Sequence, residues 1–396
     1  MNRQPQTKCP PSSERKYSEN RMYYEKLADK YHIIQYLPLL CLVLLTILTV
    51  FFGYRSMQGD NFRYLFKTLK DNPVSLDANY EDISYAAGSG VDFTLYKDEL
   101  AVIGDGRMTL YTLSGDLRFR HNAKSTAAAY AVSEKYIAVY TPGAKGLSVY
   151  NSFGCVFEET FKQPVRSVAV SDSGRLAVCL KGEGTTEIEI FDADFEREMS
   201  FRLENGVVYD MDLSPNGDKL IVTSLATVGG AYYTELTLWD VSSEKTVASE
   251  KIDAKKPIST GFFADGRFYA AVQGNICFYQ ANGKKAETVS LAAQEYAVVC
   301  DGETLSVLRN TSHVTTYSKR GNLLAEFSLS ESVFSLKYRD GIYYTVSDTR
   351  IALYSENGEE IGGCPISSGL IDFFILADGS LLLCYVSETE RILPFS

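Results

Sequence analysis

The chain has 396 residues, 45% of them apolar and 22% charged, with 29 Gly, 27 Tyr, three His and one Trp. Those proportions exclude a disordered chain and a polytopic membrane protein, and the wealth of Gly and Tyr suits many short strands joined by tight turns. The net charge of −11 divides into +3 over residues 1–54 and −14 over the remainder, so the chain offers no basic surface for a phosphate backbone and no nucleic-acid partner is expected.

Residues 1–31 form a polar tail that opens MNRQPQTKCPPSSERKYSEN, too poor in apolar groups to fold alone. A span follows, residues 32–54, in which Ile33 to Tyr54 contains no charged side chain. Twenty-two helical residues reach roughly 33 Å, enough for one membrane crossing. The run ends in FFGYRSMQGD, without the small residues of a cleavage site, so an uncleaved signal anchor is expected. Arg15, Lys16, Arg21, Lys26 and Lys30 precede it, and Arg55, Arg63, Lys67 and Lys70 follow it. That slight excess points to a cytoplasmic N-terminus, with the rest of the chain outside the cell membrane. Residues 55–79 contain a short amphipathic helix, with Phe62, Leu65, Phe66 and Leu69 on one face, Asp60 as its cap and Asn72-Pro73 as its end.

From residue 80 to 396 one strand signature recurs, apolar at alternate positions and closed by an aromatic residue. It appears as RMTLYT (Tyr111), GLSVYN (Tyr150), EIEIFD (Phe191), ELTLWD (Trp239), NICFYQ (Tyr279), HVTTYS (Tyr317), RIALYS (Tyr354) and RILPFS (Phe395). Intervals of 37 to 48 residues match four-stranded propeller blades. Gly115, Gly154, Gly283, Gly321 and Gly358 sit four residues past their aromatics, where a tight turn needs a positive φ. Each unit supplies strands a, b, c and d, and such a unit cannot bury its faces without neighbours. The expected fold is therefore all-β, an eight-bladed propeller of four-stranded blades preceded by a single transmembrane helix. The last segment, Ile371 to Ser396, supplies only three strands, and Glu81 to Ala87 is expected to return as the fourth. Seven blades with an extra hairpin is the alternative.

On segments such as YIAVYTPGAKGLSVYNS (136–152), DLSPNGDKLIVTS (212–224) and the Trp239-Asp240 pair, the chain resembles WD40-like and YVTN-type propellers. The layout of tail, anchor and propeller resembles uncharacterised single-pass propeller proteins of clostridia. The resemblance implies a fold and no activity. The Gly-His element of WD40 repeats is absent, and seven of the eight aromatics are not Trp.

Catalytic motifs are absent: there is no G-x-S-x-G, H-E-x-x-H or P-loop pattern, so no catalytic residue is assigned. His32, His121 and His313 have no Cys or carboxylate at ligand spacing along the chain, and no metal or cofactor is expected. The run Asp192, Asp194, Glu196 has Arg197 where a calcium loop needs Gly, so it reads as an ordinary turn. The cysteines fall singly within strands and read as small buried hydrophobes. The b–c loops at 141–146, 181–187 and 224–235 are the long ones, and in a propeller they share one face. Lys181, Tyr232 and Tyr233 are the candidate binding residues there. The expected role is non-enzymatic, a membrane-anchored binding or scaffold module for an envelope protein or a cell-wall polymer. The alternatives are an envelope hydrolase or lyase with its site at the propeller axis, and a transmembrane sensor.

Overall fold

The structure, a computed structural model, describes residues 36, 39, 41–44 and 46, residues 82–85, and residues 90–393 apart from 124–128, 183–184, 204–205 and 293–294. The chain divides into two compact units, Met1–Pro73 and Val74–Ser396. In the first, the described positions are helical and exposed. The polar tail, most of the expected anchor and the amphipathic helix lie outside the described residues. Among the described residues no helix is long and apolar enough to cross a membrane.

The second unit is a ring of eight antiparallel meanders. Blade 1 holds β1 (Asp92–Tyr96), β2 (Glu99–Gly104), β3 (Arg107–Thr112) and β4 (Leu117–Asn122). Blade 2 holds β5 (Ala129–Val132), β6 (Ile137–Tyr140), β7 (Gly146–Asn151) and β8 (Gly154–Thr160). Blade 3 holds β9 (Val165–Val170), β10 (Leu176–Lys181), β11 (Thr186–Phe191) and β12 (Arg197–Leu203). Blade 4 holds β13 (Val207–Leu213), β14 (Lys219–Val228), β15 (Ala231–Asp240) and β16 (Lys245–Asp253). Blade 5 holds β17 (Pro257–Phe262), β18 (Phe268–Val272), β19 (Asn275–Tyr279) and β20 (Lys285–Ser290). Blade 6 holds β21 (Tyr296–Cys300), β22 (Thr304–Arg309), β23 (His313–Ser318) and β24 (Leu323–Ser328). Blade 7 holds β25 (Ser335–Arg339), β26 (Ile342–Val346), β27 (Arg350–Ser355) and β28 (Glu360–Pro365). Blade 8 holds β29 (Asp372–Ile375), β30 (Leu381–Cys384) and β31 (Thr389–Ile392).

The missing fourth strand of blade 8 comes from the other end of the unit, as expected. Ser84 bridges Glu388, Tyr85 N donates to Ser387 O, and Thr389 N donates to Ile83 O. The Tyr85 hydroxyl adds bonds of 2.6 Å to Tyr385 O and 2.9 Å to Glu388 O. The returning segment covers the outer edge of β31, and ring closure buries the faces of blades 1 and 8 against each other.

There is no single core. Eight separate apolar clusters fill the eight interfaces between blades, from Ile103, Met108 and Tyr150 between blades 1 and 2 to Phe93, Leu100 and Leu382 between blades 8 and 1. This differs from the one-sided burial that period-two alternation suggests. Ile351 and Leu353 pack toward blade 8, while Ala352 and Tyr354 on the same strand pack toward blade 6. Both faces of the middle strands are covered, so β6 and β30 are apolar and buried at every position.

The recurring aromatic has a defined job. In blades 1 to 7 it stands opposite the first or second residue of strand b, and a β-bulge against strand d falls just before it, as between Leu110 and Tyr111 or Leu353 and Tyr354. The bulge adds twist and turns the ring toward the preceding blade's outer strand. Phe201 stacks on Trp239 at 4.3 Å, and Phe327 meets Tyr354 at 6.0 Å. Blade 8 departs from the expected register. Its strand c pairs Leu381 with Ile392, so Ile392 takes the aromatic's place, and Phe395 lies outside the described residues. The Pro394 that follows cannot donate to a ladder, which fits a strand ending earlier.

The expected turn glycines all carry positive φ, and in blade 3 the same position is held by Phe195 at φ 63°. Gly358 needs its missing side chain for a second reason. A Cβ there would lie 2.5 Å from Phe327 Cβ and 2.6 Å from its Cγ, whereas at Gly379, also at positive φ, it would meet open space. Gly358→Ala should therefore cost about 2–4 kcal/mol, from collision plus backbone strain, and Gly379→Ala only about 1 kcal/mol. Equal losses in denaturant melts of the two variants would refute the packing account.

Candidate functional site: the loop face and the inner strands

Each blade runs a, b, c, d, so its b–c turn emerges on the same face as the d–a connection. The structure corrects the expected lobe of three long loops on this face. The 141–146 segment is a tight turn tied to the next blade by Gly143 N to Val165 O and Val165 N to Ala144 O. Gly182 N bonds Thr185 O, closing the second. The third is no loop: β14 and β15 each run ten residues and pair continuously to Val228↔Ala231, with Gly229 and Gly230 at φ 60° and 85° as a two-residue turn. Two positive φ values make the mirror-image turn whose twist matches a hairpin. The 48-residue interval thus records a hairpin projecting from blade 4.

That geometry separates the candidate residues. Tyr232 is 37% exposed near the hairpin tip. Tyr233 points the other way and is buried, with Lys251 Nζ 4.8 Å from its ring centre, so it supports the hairpin. Lys181 ends β10 and is exposed, on the same face but in blade 3.

The sequence reading missed a broader feature of this face. Val207, Tyr209, Phe334, Ile371 and Val386 are each 39% to 55% exposed, and all sit where strands a begin or in a b–c turn. Tyr209 is presented by a bulge, since pairing skips it between Val208 and Asp210. Bulges of this kind re-aim side chains at binding surfaces.

Toward the ring's centre the a strands lie side by side, each with one edge unpaired within its own blade. Polar side chains from one blade bond the backbone of its neighbour, most often the following blade. Tyr130 Oη donates to Phe93 O at 2.9 Å, and Arg339 Nη1 donates to Ile375 O at 2.7 Å. Arg166 donates to Val208 O, and Lys337 to Phe373 O. Asp210 accepts from Thr260 N at 2.8 Å and Asp212 from Phe262 N at 2.9 Å. Lys337 also pairs with Asp372 at 2.8 Å.

Acids therefore do gather at the inner strands, with no histidine among them in the described residues. Burial raises the Asp92 carboxyl, with help from Asp372. Tyr130 is pushed up to about 12 by burial and then by the charges of Asp372 and Asp92. Burial raises Asp210, and it takes Asp212 up to about 7 against the pull of the Phe262 N–H. Asp210 and Asp212 are also held by backbone N–H groups and Asp372 by the Lys337 ammonium, which is what a stitch between strands requires. The signal was present as DMD at alternate positions of a strand, but only the pairing shows that these side chains face the next blade.

Of the remaining sequence expectations, Asp192 Oδ1 caps its own turn by accepting from Asp194 N and Glu196 N, both at 2.9 Å. Cys179, Cys277 and Cys384 are buried, Cys155, Cys300 and Cys364 half-buried, and none of them is in a disulfide.

Residues 77–392 match a family described as "Family of unknown function (DUF5711)". No curated protein matches the chain. Among solved structures it is similar to BamB from Moraxella catarrhalis, with 12% identity, 78% of this chain and 96% of that one covered, and a TM-score of 0.54. It is similar to the Dos1 propeller at 13% identity, 80% and 96% coverage and a TM-score of 0.58. It is similar to the C-terminal WD40 domain of Sif2 at 13% identity, 79% and 97% coverage and a TM-score of 0.56. These likenesses establish a WD40-like β-propeller fold.

A folded-state pKa near 7 for Asp212, against 3.8 unexposed to such burial, fixes a sign. The folded state binds this proton more tightly, so its stabilising effect is complete below about pH 4 and is lost as pH rises through 7. Asp212→Asn keeps an acceptor for Phe262 N and removes the titration. The variant should gain about 2 kcal/mol on wild type between pH 4 and pH 8, a figure discounted because the residue is only half-buried. Parallel melting curves at all pH values would refute the assignment.

Proposed function

The chain belongs to the family of unknown function DUF5711, and on that premise we propose that it is a non-enzymatic binding module that docks a protein through the b–c face of its propeller. The observation that carries this is a set of exposed apolar side chains on that face, Val207 and Tyr209 on blade 4, Phe334 on blade 7, and Ile371 and Val386 on blade 8, with Tyr232 on the projecting hairpin. Apolar anchors around a polar, acidic surface are the chemistry of a protein–protein site, where aromatic residues supply most of the affinity. Strands hold Val207, Tyr209 and Tyr232, which lowers the ordering cost that opposes association.

The proposal includes the membrane. The charge-free run Ile33 to Tyr54 supports a single uncleaved anchor, with the N-terminus cytoplasmic and the propeller outside the cell. The partner is then another envelope protein, and a cell-wall polymer is the second choice, since a polymer site would present more polar groups than these anchors do. The inner-strand acids take no catalytic part in this reading, in which Asp210, Asp212 and Asp372 hold neighbouring strands together.

Two measurements test it. Tyr209→Ser with Phe334→Ser should reduce capture of an envelope partner by about tenfold or more while moving the melting midpoint little, since both side chains are exposed. Undiminished capture would remove the b–c face from consideration. Protease added to intact cells should cleave the propeller; protection that ends on permeabilisation would reverse the topology and place the partner in the cytoplasm.

A further inference from the structure

We infer that the outer edge between blades 1 and 2 is a site for a divalent transition metal, held by His121, Cys155 and Glu158, with zinc the best match. His121 lies on β4, the outer strand of blade 1, and Cys155 and Glu158 lie on β8, the outer strand of blade 2. One ligand atom of each lies within 4.8 Å of the others. Bonds of about 2.0–2.3 Å to zinc place tetrahedral donors roughly 3.5 Å apart, so closing the site takes shifts of about 1 Å. Nitrogen, sulfur and oxygen donors suit zinc, and three protein ligands leave a fourth position for water or an exogenous group.

The strand is built to bring these ligands together. Residues three apart on a regular strand face opposite ways. Here pairing runs Ser148↔Glu158, Val149↔Phe157 and then Tyr150↔Cys155, so Val156 is an extra, bulged residue. The bulge restores Cys155 and Glu158 to one face, the face shared by Ser148 and Tyr150. Neighbours on that face orient the ligands. The buried Tyr150 hydroxyl lies 3.1 Å from His121 Nδ1, and Ser148 Oγ donates to Glu158 Oε1 at 3.1 Å. A metal bound through Nε2 leaves Nδ1–H donating to Tyr150, the arrangement that fixes tautomer and ring angle in histidine metal sites. The Cys155 thiol points at Phe157 O, 3.5 Å away. Binding exchanges the thiol proton for the metal, releases that proton to solvent, and leaves a thiolate and a carboxylate to balance the two positive charges. The metal would pin two outer strands that no backbone hydrogen bond joins.

The test is titration of the full-length, metal-stripped, reduced protein with Co²⁺ and then Zn²⁺. A thiolate-to-cobalt charge-transfer band saturating at one equivalent, displaced by Zn²⁺ and accompanied by a higher melting midpoint, is expected. Cys155→Ser should abolish the band, and His121→Ala should weaken binding by about tenfold or more. Should either variant melt early, Glu158→Gln, at an exposed position, should still weaken Zn²⁺ binding several-fold. No band in wild type, a band that survives Cys155→Ser, or unchanged affinity in Glu158→Gln would each overturn the site.

Discussion

Every blade of this ring has an inner strand with one backbone edge unpaired in its own sheet, and the way those edges are satisfied organises the rest of the molecule. Backbone N–H and C=O groups left bare in a narrow channel cost free energy unless something bonds them. Here a neighbouring blade supplies side chains of the right sign: Asp210 and Asp212 reach N–H groups, while Arg166, Lys337, Arg339 and Tyr130 reach carbonyls. The charged residues at the centre are therefore structural before they are anything else. Their raised carboxyl pKa values follow from the same placement, since a stitch has to sit where the strands crowd together.

The second constraint is that a blade has no buried face of its own. Alternate residues on one strand belong to different interfaces, as at Ala352 and Leu353. The repeating aromatic works against the outer strand of the blade before it, and the bulge beside it sets the angle. Polar residues between the middle strands fit the same scheme, as when Ser306, Thr316 and the Tyr343 hydroxyl bond one another across blades 6 and 7.

Much of this was legible in the chain. The spacing of Tyr111, Tyr150 and their successors set the blade count, and a three-strand final segment implied that residues near Ser84 must return. What could not be read was register. Phe395 continued the pattern in the sequence, yet Ile392 stands opposite Leu381, because strand pairing starts from the turn and not from the aromatic. The 224–235 insertion looked like a loop, since Gly229-Gly230 and a long interval fit both a loop and a hairpin. Tyr232 and Tyr233 were adjacent candidates, but strand alternation sends one out and the other in. His121 and Cys155 are 34 residues apart along the chain and meet only because consecutive blades stack. No spacing rule along one strand would have found them.

The closing segment has a consequence for how the molecule comes to be made. Ile83 and Thr389 are 306 positions apart, so the first strand of the ring to leave the ribosome has its partner only when the last does. Until then it is a lone strand, and blade 8 has an open flank toward blade 1. The entropic charge for joining ends over such a length rises only logarithmically, so the finished ring is not much weakened by it. The burden falls on time instead: the first strand waits through nearly the whole synthesis for its partner, open until then to pairing with a second copy.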